Sequence, residues 1–201
     1  MLTFEHEDAL PGPVAGVDEV GRGPWAGPVV AAAVILDRVF SPRGLRDSKK
    51  LSPARREILA AEVLATARVG LGICEVAEID AVGVGRATLT AMRRALDALP
   101  ALPAGVVVDG TQLPALPDGV TACALPRADD ACPSVAAASI VAKVHRDALM
   151  ATLAADYPAY AWERNKGYGT KDHADALKRY GITPHHRLSF APIAALAARK
   201  A

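Results

Sequence analysis

GVDEVGRGPWAGPVVAAAVIL, residues 16–36, is the stretch that decides the fold. Apolar runs at 14–18 and 28–36 are bounded by Gly and Pro, which predicts two buried strands around a tight GRG turn. Asp18 and Glu19 end the first run and lie just before the glycine-flanked Arg22. The two acids fit either a functional site or a surface turn in which they pair with Arg22.

In the rest of the chain, short apolar runs alternate with segments whose apolar residues recur at helical spacing. We expect further strands at 69–76, 105–110 and 121–125, and helices at 52–68, 84–98, 134–157 and 170–181. Ser52 and Ser134 are the predicted N-caps of two of these helices, and Pro53 takes the first helical position of its own. Thr170 and Gly181 mark the ends of another helix. The segment 189–201 predicts a short helix and a tail. This order of elements indicates an α/β sheet covered by helices.

Length and composition fit one globular domain of 201 residues and 20.9 kDa, with about half of the residues apolar. Only 4% are aromatic, so the core must consist of Ala, Val, Leu and Ile. The formal net charge of +1 provides no global attraction for polyanions, and any nucleic-acid surface must be a local patch. Basic residues concentrate at 38–56 and 163–187, and each patch also fits an ordinary solvated face.

Cysteine usage and hydropathy exclude several classes of protein. Cys74, Cys123 and Cys132 are odd in number and lack CxxC spacing, so neither a disulfide framework nor a zinc site is indicated. The N-terminus lacks the apolar core of a signal peptide. No apolar run reaches about 18 residues without a charged, Gly or Pro interruption, so we expect no membrane span. A reducing, cytoplasmic location is the resulting expectation.

Two predicted strands end in acid, one in GVDE and the other in VVVDG. Ligands of open α/β sheets bind beyond the carboxyl ends of the strands. If the two strands are neighbours, Asp18, Glu19 and Asp109 converge, and carboxylates crowded in this way suit Mg²⁺ or Mn²⁺. Successive side chains on a strand point to opposite faces, so Asp18 and Glu19 share a site only where the strand ends or twists.

Six motifs in order from residue 17 to residue 192 together resemble the ribonuclease HII family, the type 2 ribonucleases H. They are VDEVGRGPWAGPVVAAAVIL, RDSKKLS, VVVDG, PSVAAASIVAKVHRD, NKGYGTKDH and HHRLSFAP. The resemblance implies a ribonuclease H-like fold with a central mixed five-stranded sheet flanked by helices. It divides the chain into a catalytic domain, 1–160, and a small helical extension, 161–201, that packs on the domain and contributes to substrate binding.

The resemblance also implies an activity. Members of this family cut the RNA strand of RNA–DNA hybrids and nick duplex DNA on the 5′ side of a single embedded ribonucleotide, leaving a 3′-hydroxyl and a 5′-phosphate. They use two divalent ions, Mg²⁺ or Mn²⁺. Primer removal or excision of misincorporated ribonucleotides is the implied cellular role. Nothing in the sequence demands more than a monomer.

Catalytic and metal-binding roles carry over to Asp18, Glu19, Asp109 and Asp129. Asp129 lies in RADD, where Arg127 replaces the lysine usual in the family, and the adjacent Asp130 is a rival for the fourth position. Substrate-binding roles carry over to a further set: Gly21, Arg22 and Gly23 at the ribonucleotide, Tyr168 stacking on the next deoxyribose, and Lys49, Ser139 and Lys143 at phosphates.

Several assignments have alternatives. Ser139, Lys143 and Asp147 share one helix face, and Asp147 is interpreted as an ion-pair partner of Lys143. His173, His185 and His186 lack HxxxH spacing and are interpreted as structural or phosphate-facing. Rival functions are another nuclease of this fold, such as a junction resolvase, and a non-catalytic hybrid-binding module. A dinucleotide enzyme is unsupported because GVGRAT, 83–88, lacks the GxGxxG spacing.

Overall fold

The computed structural model describes residues 2–198 and contains one mixed sheet of five strands. The strands are β1 (Val14–Val20), β2 (Val29–Ile35), β3 (Arg68–Cys74), β4 (Gly105–Asp109) and β5 (Thr121–Leu125). Their order across the sheet is β3-β2-β1-β4-β5. The first three strands are antiparallel neighbours, while β4 runs parallel to β1 and to β5. The predicted mixed five-stranded sheet is confirmed.

Helices cover both faces of this sheet. They are α1 (Glu5–Asp8), α2 (Pro53–Thr66), α3 (Val76–Val82), α4 (Val84–Asp97), α5 (Pro133–Asp156), α6 (Trp162–Asn165), α7 (Lys171–Tyr180) and α8 (Ala191–Ala197). Helix α4 packs on β2 and β3, while α5 packs on β1 and β2 with α2 beside it. Within residues 2–198, no helix has both the length and the apolarity needed to cross a membrane.

Strand β2 lies at the centre of the core, and all seven of its residues are buried. Val29, Ala31 and Ala33 belong to the cluster that includes α4, whereas Val30 and Ala32 belong to the cluster that includes α5. A strand that is covered on both faces reads as one continuous apolar run. This explains why PVVAAAVIL shows no alternation of polar and apolar residues.

Helix α5 approaches β1 so closely that only glycine fits at position 16. A Cβ built on Gly16 would lie 2.3 Å from the backbone carbon of Ser134 and 2.3 Å from the nitrogen of Val135. The same contact fixes the height of α5 above β1, the strand that carries Asp18.

The predicted boundaries agree with the structure at most elements, and two caps are confirmed. The side chains of Ser52 and Thr170 accept from the backbone N–H groups three residues ahead, at the starts of α2 and α7. The prediction for Ser134 is wrong. Helix α5 begins at Pro133, and Ser134 Oγ instead donates to Glu7 Oε1 at 2.7 Å.

Three helices were not predicted: the one-turn helices α1 and α6, and α3, which follows β3 directly. Glu75 and Val76 were assigned to the strand, but Glu75 begins α3 through a reciprocal capping box with Glu78. At the other end of the chain, α8 agrees with the predicted C-terminal helix. Positions 199–201 of the predicted tail lie outside the described residues.

Candidate active site

Neighbouring parallel strands bring the predicted carboxylates to one edge of the sheet. Val17 of β1 pairs with Val108 of β4, so the next residues along the two strands are Asp18 and Asp109. Glu19 follows Asp18 within β1. The carboxyl ends of β1 and β4 therefore present three acids at the edge where α/β sheets bind their ligands.

Asp18 and Glu19 have different surroundings, as the alternation along a strand requires. Asp18 is only 5% exposed, and its Oδ1 accepts the backbone N–H of Glu19 at 2.8 Å, while the nearby hydroxyl of Ser139 on α5 acts to lower its pKa. Glu19 accepts from Nη1 of Arg22 at 3.4 Å. Glu19 also lines a shallow cavity with Thr88 of α4. The surface-turn pairing with Arg22 is thus present, beside a carboxylate that is buried against α5.

The acids destabilise one another's charged forms. Burial, followed by the charges of Glu19 and Asp109, raises the pKa of Asp18 well above its ordinary value. Burial also raises the pKa of Glu19, against the opposing charge of Arg22 and with a smaller contribution from Asp109. A cation bound between these groups would relieve this repulsion.

Asp129 and Asp130 occupy a 3-10 turn, Ala128–Asp130, that is attached to the end of β4. Asp109 Oδ1 accepts the backbone N–H of Ala128 at 2.7 Å. Asp129 is buried, and its burial, together with the charges of Asp109 and Asp47, raises its pKa to about 6. Asp130 instead pairs with two cations, Lys50 and Arg127. Of the two rivals, Asp129 is the acid that interacts electrostatically with Asp109.

The donor set fits a hard divalent cation that is completed by substrate. Across residues 2–198, no group of three or more His, Cys, Asp or Glu side chains is preassembled around a cation position. Mg²⁺ is commonly held by one or two carboxylates together with waters and substrate phosphates, and not by a closed protein cage. The carboxylates at the carboxyl ends of β1 and β4 raise one another's pKa, as expected of a site of this kind.

Lys49 lies in the field of the acidic cluster. Although burial lowers its pKa, the charges of Asp47, Asp129, Asp18 and Asp109 outweigh that effect, and the pKa of Lys49 is raised. The segment that carries Lys49 is fixed from both sides. Asp47 Oδ1 accepts the Lys49 N–H at 2.9 Å. Ser48 Oγ lies 3.0 Å from Ser139 Oγ. The sequence analysis missed both supporting residues, Asp47 and Ser48, although they precede Lys49 in the RDSKKLS motif.

The GRG and GYG turns, which are far apart in sequence, meet beside the acids. The backbone N–H of Trp25 donates to the Gly167 carbonyl at 2.8 Å. A Cβ on Gly23 would lie 3.4 Å from the Tyr168 ring, which is 47% exposed. A Cβ on Gly169 would overlap the ring of Trp25, at 2.1 Å. The glycine at position 169 therefore allows the two turns to touch, whereas a Cβ at position 23 would make an ordinary van der Waals contact.

Lys143 lies one helical turn beyond Ser139 on α5. Its Nζ donates to Asp147 Oδ1 at 2.6 Å, so the interpretation of Asp147 as an ion-pair partner is confirmed. Burial lowers the pKa of Lys143 despite this partner. Lys143 also lines a groove of about 770 Å³ together with Arg56, Arg164 and Lys166, so the two basic stretches of the sequence meet there.

Of the three histidines discussed above, His173 and His186 form a buried pair, whereas His185 is only half-buried. His173 and His186 are fully buried, and their Nε2 atoms lie 2.9 Å apart. His186 Nδ1 accepts the Thr183 N–H at 3.0 Å, so His186 Nε2 carries the proton and donates to His173. The remaining nitrogen of His173, Nδ1, then donates to the Tyr168 carbonyl at 3.0 Å. The structural interpretation of these two residues is confirmed, and it connects them to the GYG turn.

Sequence reasoning also missed two buried arginines beneath the turns. Arg146 donates to the carbonyls of Pro28, Ala26 and Lys166. Arg187 donates to those of Gly21, Arg22 and Gly27. Both arginines occur in motifs of the sequence, KVHRD and HHRLSF, but all of their carbonyl partners except Lys166 are more than 100 residues away and leave no local signal.

Comparisons with known proteins agree with this geometry. A family model described as Ribonuclease HII matches residues 15–193. A curated protein from Jannaschia sp. (strain CCS1), named Ribonuclease HII, is 55% identical over 193 residues, which is 95% of this chain and 96% of that protein.

Solved structures show the same architecture. The ribonuclease H2 from Pyrococcus horikoshii OT3 matches with a TM-score of 0.79 and 28% identity, covering 92% of this chain and 97% of that one. The Bst-RNase HIII crystallised in complex with Mn²⁺ matches with a TM-score of 0.71 and 21% identity, covering 92% and 69% of the two chains. At that identity the second likeness supports the fold alone.

Proposed function

The chain belongs to the ribonuclease HII family of endoribonucleases, and on this premise we propose that it hydrolyses the RNA strand of RNA–DNA hybrids. We further propose that it nicks duplex DNA on the 5′ side of a single embedded ribonucleotide. Water attacks the phosphorus in line, the bond to the 3′-oxygen breaks, and the products carry a 3′-hydroxyl and a 5′-phosphate.

One observation carries the proposal. The strand ends that bear Asp18 and Asp109 lie beside the GRG turn, which in turn contacts Tyr168. An acidic edge suits a cation at a phosphate, whereas a glycine turn that lacks Cβ atoms suits close approach to a sugar. The ribose 2′-hydroxyl distinguishes RNA from DNA, so a nuclease that selects ribonucleotides needs both features within one nucleotide's reach.

In this proposal four carboxylates hold the cations. Ribonucleases of this family depend on divalent metal, and Asp18, Glu19, Asp109 and Asp129 are the acids placed to bind it here. Two ions, Mg²⁺ or Mn²⁺, would supply a nucleophilic water and neutralise the charge that develops on the leaving 3′-oxygen. The charges of both Glu19 and Asp109 act on Asp18, and in this proposal Asp18 is the acid suited to contact both ions.

The remaining predicted residues position the nucleic acid. Gly21, Arg22 and Gly23 face the ribonucleotide, and the exposed ring of Tyr168 stacks on the deoxyribose that follows it. The basic side chains of Lys49 and Lys143, with the hydroxyl of Ser139, contact phosphates. Lys49 also opposes the charge of the acidic cluster, which keeps its own ammonium protonated.

We propose that the C-terminal segment, 161–201, contributes to substrate binding through its GYG turn. The described part of this segment is attached to the β1–β2 connection by a bridge between Ala26 and His186 and by the Trp25–Gly167 hydrogen bond. Tyr168 is therefore carried by one segment and the GRG turn by another, and their separation depends on these contacts.

Two other functions predict different substrates. A junction resolvase of this fold would use the same acidic strand ends, but it would have no use for a turn that reads a ribose. A non-catalytic hybrid binder would gain nothing from buried carboxylates beside phosphate, because they repel the substrate when no cation is bound.

A nicking assay tests the proposal directly. The substrates are a labelled DNA duplex with one ribonucleotide, the same duplex in all-DNA form, and an RNA–DNA hybrid, each with Mg²⁺, Mn²⁺ or EDTA. We expect metal-dependent cleavage of the hybrid and a single cut 5′ of the ribonucleotide, with the all-DNA duplex intact. Cleavage of the all-DNA duplex would support a different nuclease.

A matched variant separates chemistry from binding. Asp109→Asn keeps the size of the side chain and its acceptor oxygen for Ala128, but it removes the charge. We expect cleavage to be lost while binding of the hybrid is retained. Cleavage by Asp109→Asn at the wild-type rate would contradict the role assigned to this strand end.

A further inference from the structure

The two buried arginines, Arg146 and Arg187, are costly features that the proposed chemistry does not explain. Both side chains are fully buried, and the ion pairs found among residues 2–198 include neither guanidinium. Burial, together with the neighbouring charge of Arg146, lowers the pKa of Arg187 to about 9. A buried charge that lacks a carboxylate partner is tolerated only when hydrogen bonds satisfy it, so its acceptors show which part of the fold it holds.

The guanidinium of Arg187 donates hydrogen bonds to backbone carbonyls of the GRG turn and of Gly27, which follows the turn. Its Nη2 donates to the Gly21 carbonyl at 2.6 Å and to that of Gly27 at 2.7 Å. Its Nη1 donates to the Arg22 carbonyl at 3.0 Å. Nε also donates to Gly27, at 2.9 Å, and the backbone N–H of Arg187 donates to Trp25 at 2.8 Å. The planar guanidinium thus spans three carbonyls that a single ammonium could not reach together.

These contacts determine which way the amides of the turn point. In a trans peptide the carbonyl of one residue and the N–H of the next point in opposite directions. The Gly21–Arg22 and Arg22–Gly23 peptides are trans. Because both carbonyls are turned inward to Arg187, the N–H groups of Arg22 and Gly23 point outward, at two residues that are exposed.

Arg146 packs against the Cα of Gly21, but its hydrogen bonds go to other carbonyls of the same loop and to Lys166, and not to these two peptides. It donates to the Pro28 carbonyl at 2.9 Å and to those of Lys166 and Ala26 at 3.0 and 3.1 Å. It therefore forms a matched counterpart. Both arginines are buried and both hold three carbonyls, but only Arg187 holds the carbonyls of Gly21 and Arg22.

We propose that Arg187 is a specificity-determining positioning residue, which aims the Arg22 and Gly23 amides at the 2′-oxygen of the substrate ribose. This inference rests on the proposed function, because it assumes that a ribonucleotide lies against the GRG turn. Arg187 does not touch the substrate. It acts by excluding the flipped turn, in which the carbonyls would face the sugar and the amides would point inward.

The experiment compares Arg187→Lys with Arg146→Lys in the full chain, each in the Asp109→Asn background so that substrate stays uncut. The readout is the ratio of dissociation constants for an all-DNA duplex and the same duplex with one ribonucleotide. We expect Arg187→Lys to reduce this ribonucleotide preference by about tenfold, the order of one or two hydrogen bonds. Arg146→Lys should keep the preference within about twofold, although both variants unfold at lower temperature.

A milder variant covers the case in which Arg187→Lys does not fold. The carboxylate of Asp80 accepts the N–H groups of Leu188 and Ser189 at 2.9 Å, so it anchors the segment that carries Arg187. Asp80→Ala leaves the guanidinium in the chain but frees this anchor. We expect the ribonucleotide preference to fall by about threefold, because the guanidinium of Arg187 stays in place but is held less firmly.

The outcomes separate the inference from the proposed function. A folded Arg187→Lys or Asp80→Ala variant with the full ribonucleotide preference would overturn the role of Arg187, even if the protein with native Asp109 nicks as expected. An equal loss of preference in Arg146→Lys would reduce Arg187 to one of two general stabilisers of the loop. Absence of any preference in the Asp109→Asn parent, with no nicking by the native chain, would overturn both proposals.

Discussion

Asp129 and Asp130 are adjacent in the chain, yet they have opposite electrostatic surroundings. Asp129 is buried toward Asp109, and its pKa is raised to about 6. Hydrogen bonds from Lys50 and then Arg127 lower the pKa of Asp130. An acid whose charge is already neutralised by two surface cations has little free charge to offer a metal ion. The structure therefore makes Asp129 the better candidate for the fourth ligand.

This difference predicts unequal effects of two conservative substitutions. We expect Asp129→Asn to lower kcat/KM for ribonucleotide nicking by about 10²- to 10³-fold, the usual cost of losing a group that stabilises charge at the reaction centre. Asp130→Asn breaks only partly exposed ion pairs, and we expect less than about a threefold change. Steady-state kinetics at saturating Mg²⁺ would measure both. A larger loss in Asp130→Asn than in Asp129→Asn would reverse the assignment.

At the scale of elements, the contact between β1 and α5 sets the depth of the acidic edge. We expect Gly16→Ala to destabilise the protein by about 3 kcal/mol, because the new methyl group would meet backbone atoms of α5 that have no rotamer to change. Urea denaturation measures the loss.

Gly85 of α4 offers a control for the same chemical change. A Cβ at that position meets nothing within 4 Å, and alanine favours helix over glycine. We expect Gly85→Ala to stabilise the protein by about 0.5–1 kcal/mol. Equal effects of the two substitutions would mean that β1 and α5 do not pack as closely as the structure shows.

The N-terminus of α5 depends on an acid from a distant segment. Glu7 is buried, and its Oε1 accepts both the N–H and the Oγ–H of Ser134, at 3.2 and 2.7 Å. A carboxylate near the first turn of a helix also interacts favourably with the helix dipole. We expect Glu7→Ala to lower the free energy of unfolding by about 1–2 kcal/mol.

Glu5 lies in the same short helix, α1, but is exposed, so Glu5→Ala is the matched control and should change stability by less than about 0.5 kcal/mol. Thermal and urea unfolding of both variants would test the cap. If Glu7→Ala were as stable as Glu5→Ala, the contact with Ser134 would contribute nothing measurable.

These elements also show what local sequence can and cannot predict. The apolar runs of β2 and β4 and the caps Ser52 and Thr170 are local signals, and the structure agrees with them. The cap of α5 was mispredicted because its amide is satisfied by Glu7, 127 residues away. Helix α3 was missed because it follows β3 without a loop, so its first residues extended the apolar pattern of the strand.

The same distinction applies to the site. Carboxylates at strand ends were predictable because parallel neighbours end at the same edge, and the register Val17–Val108 brings Asp18 and Asp109 together. The support beneath the GRG turn was not predictable, because Arg187 reaches Gly21 across 166 residues of sequence. The sequence shows only that an arginine is present, and its buried carbonyl partners are known only from the fold.

At the scale of the whole molecule, the C-terminal segment is attached to the β1–β2 connection through buried polar groups. The chain of hydrogen bonds from Thr183 through His186 and His173 ends on the carbonyl of Tyr168, the residue proposed to stack on the substrate. Each histidine in this chain must be neutral, because His186 accepts at Nδ1 and His173 accepts at Nε2. Protonation of either ring would therefore break a contact that holds the GYG turn.

This requirement predicts a specific dependence of stability on pH. Burial, followed by the charge of His173, lowers the pKa of His186 from 6.5 to about 4. Between these values the unfolded chain binds a proton that the folded chain does not, so stability is full above about pH 6.5 and falls as pH decreases toward 4. The shift corresponds to a loss of about 3 kcal/mol. Asp129, with its raised pKa, contributes in the opposite direction over this range and masks the effect in the wild-type curve alone.

Comparing variants isolates the histidine contribution, because the carboxylates are common to all of them. We expect His186→Gln to be less stable than wild type at pH 7.5, with the difference shrinking by up to about 3 kcal/mol by pH 4.5. His145 lies on α5, apart from the buried pair, and His145→Gln should keep the wild-type pH dependence. Urea denaturation at steps of half a pH unit measures all three curves. Parallel curves for wild type and His186→Gln would mean that His186 titrates normally in the folded protein and that the neutral hydrogen-bond chain to Tyr168 does not persist in solution.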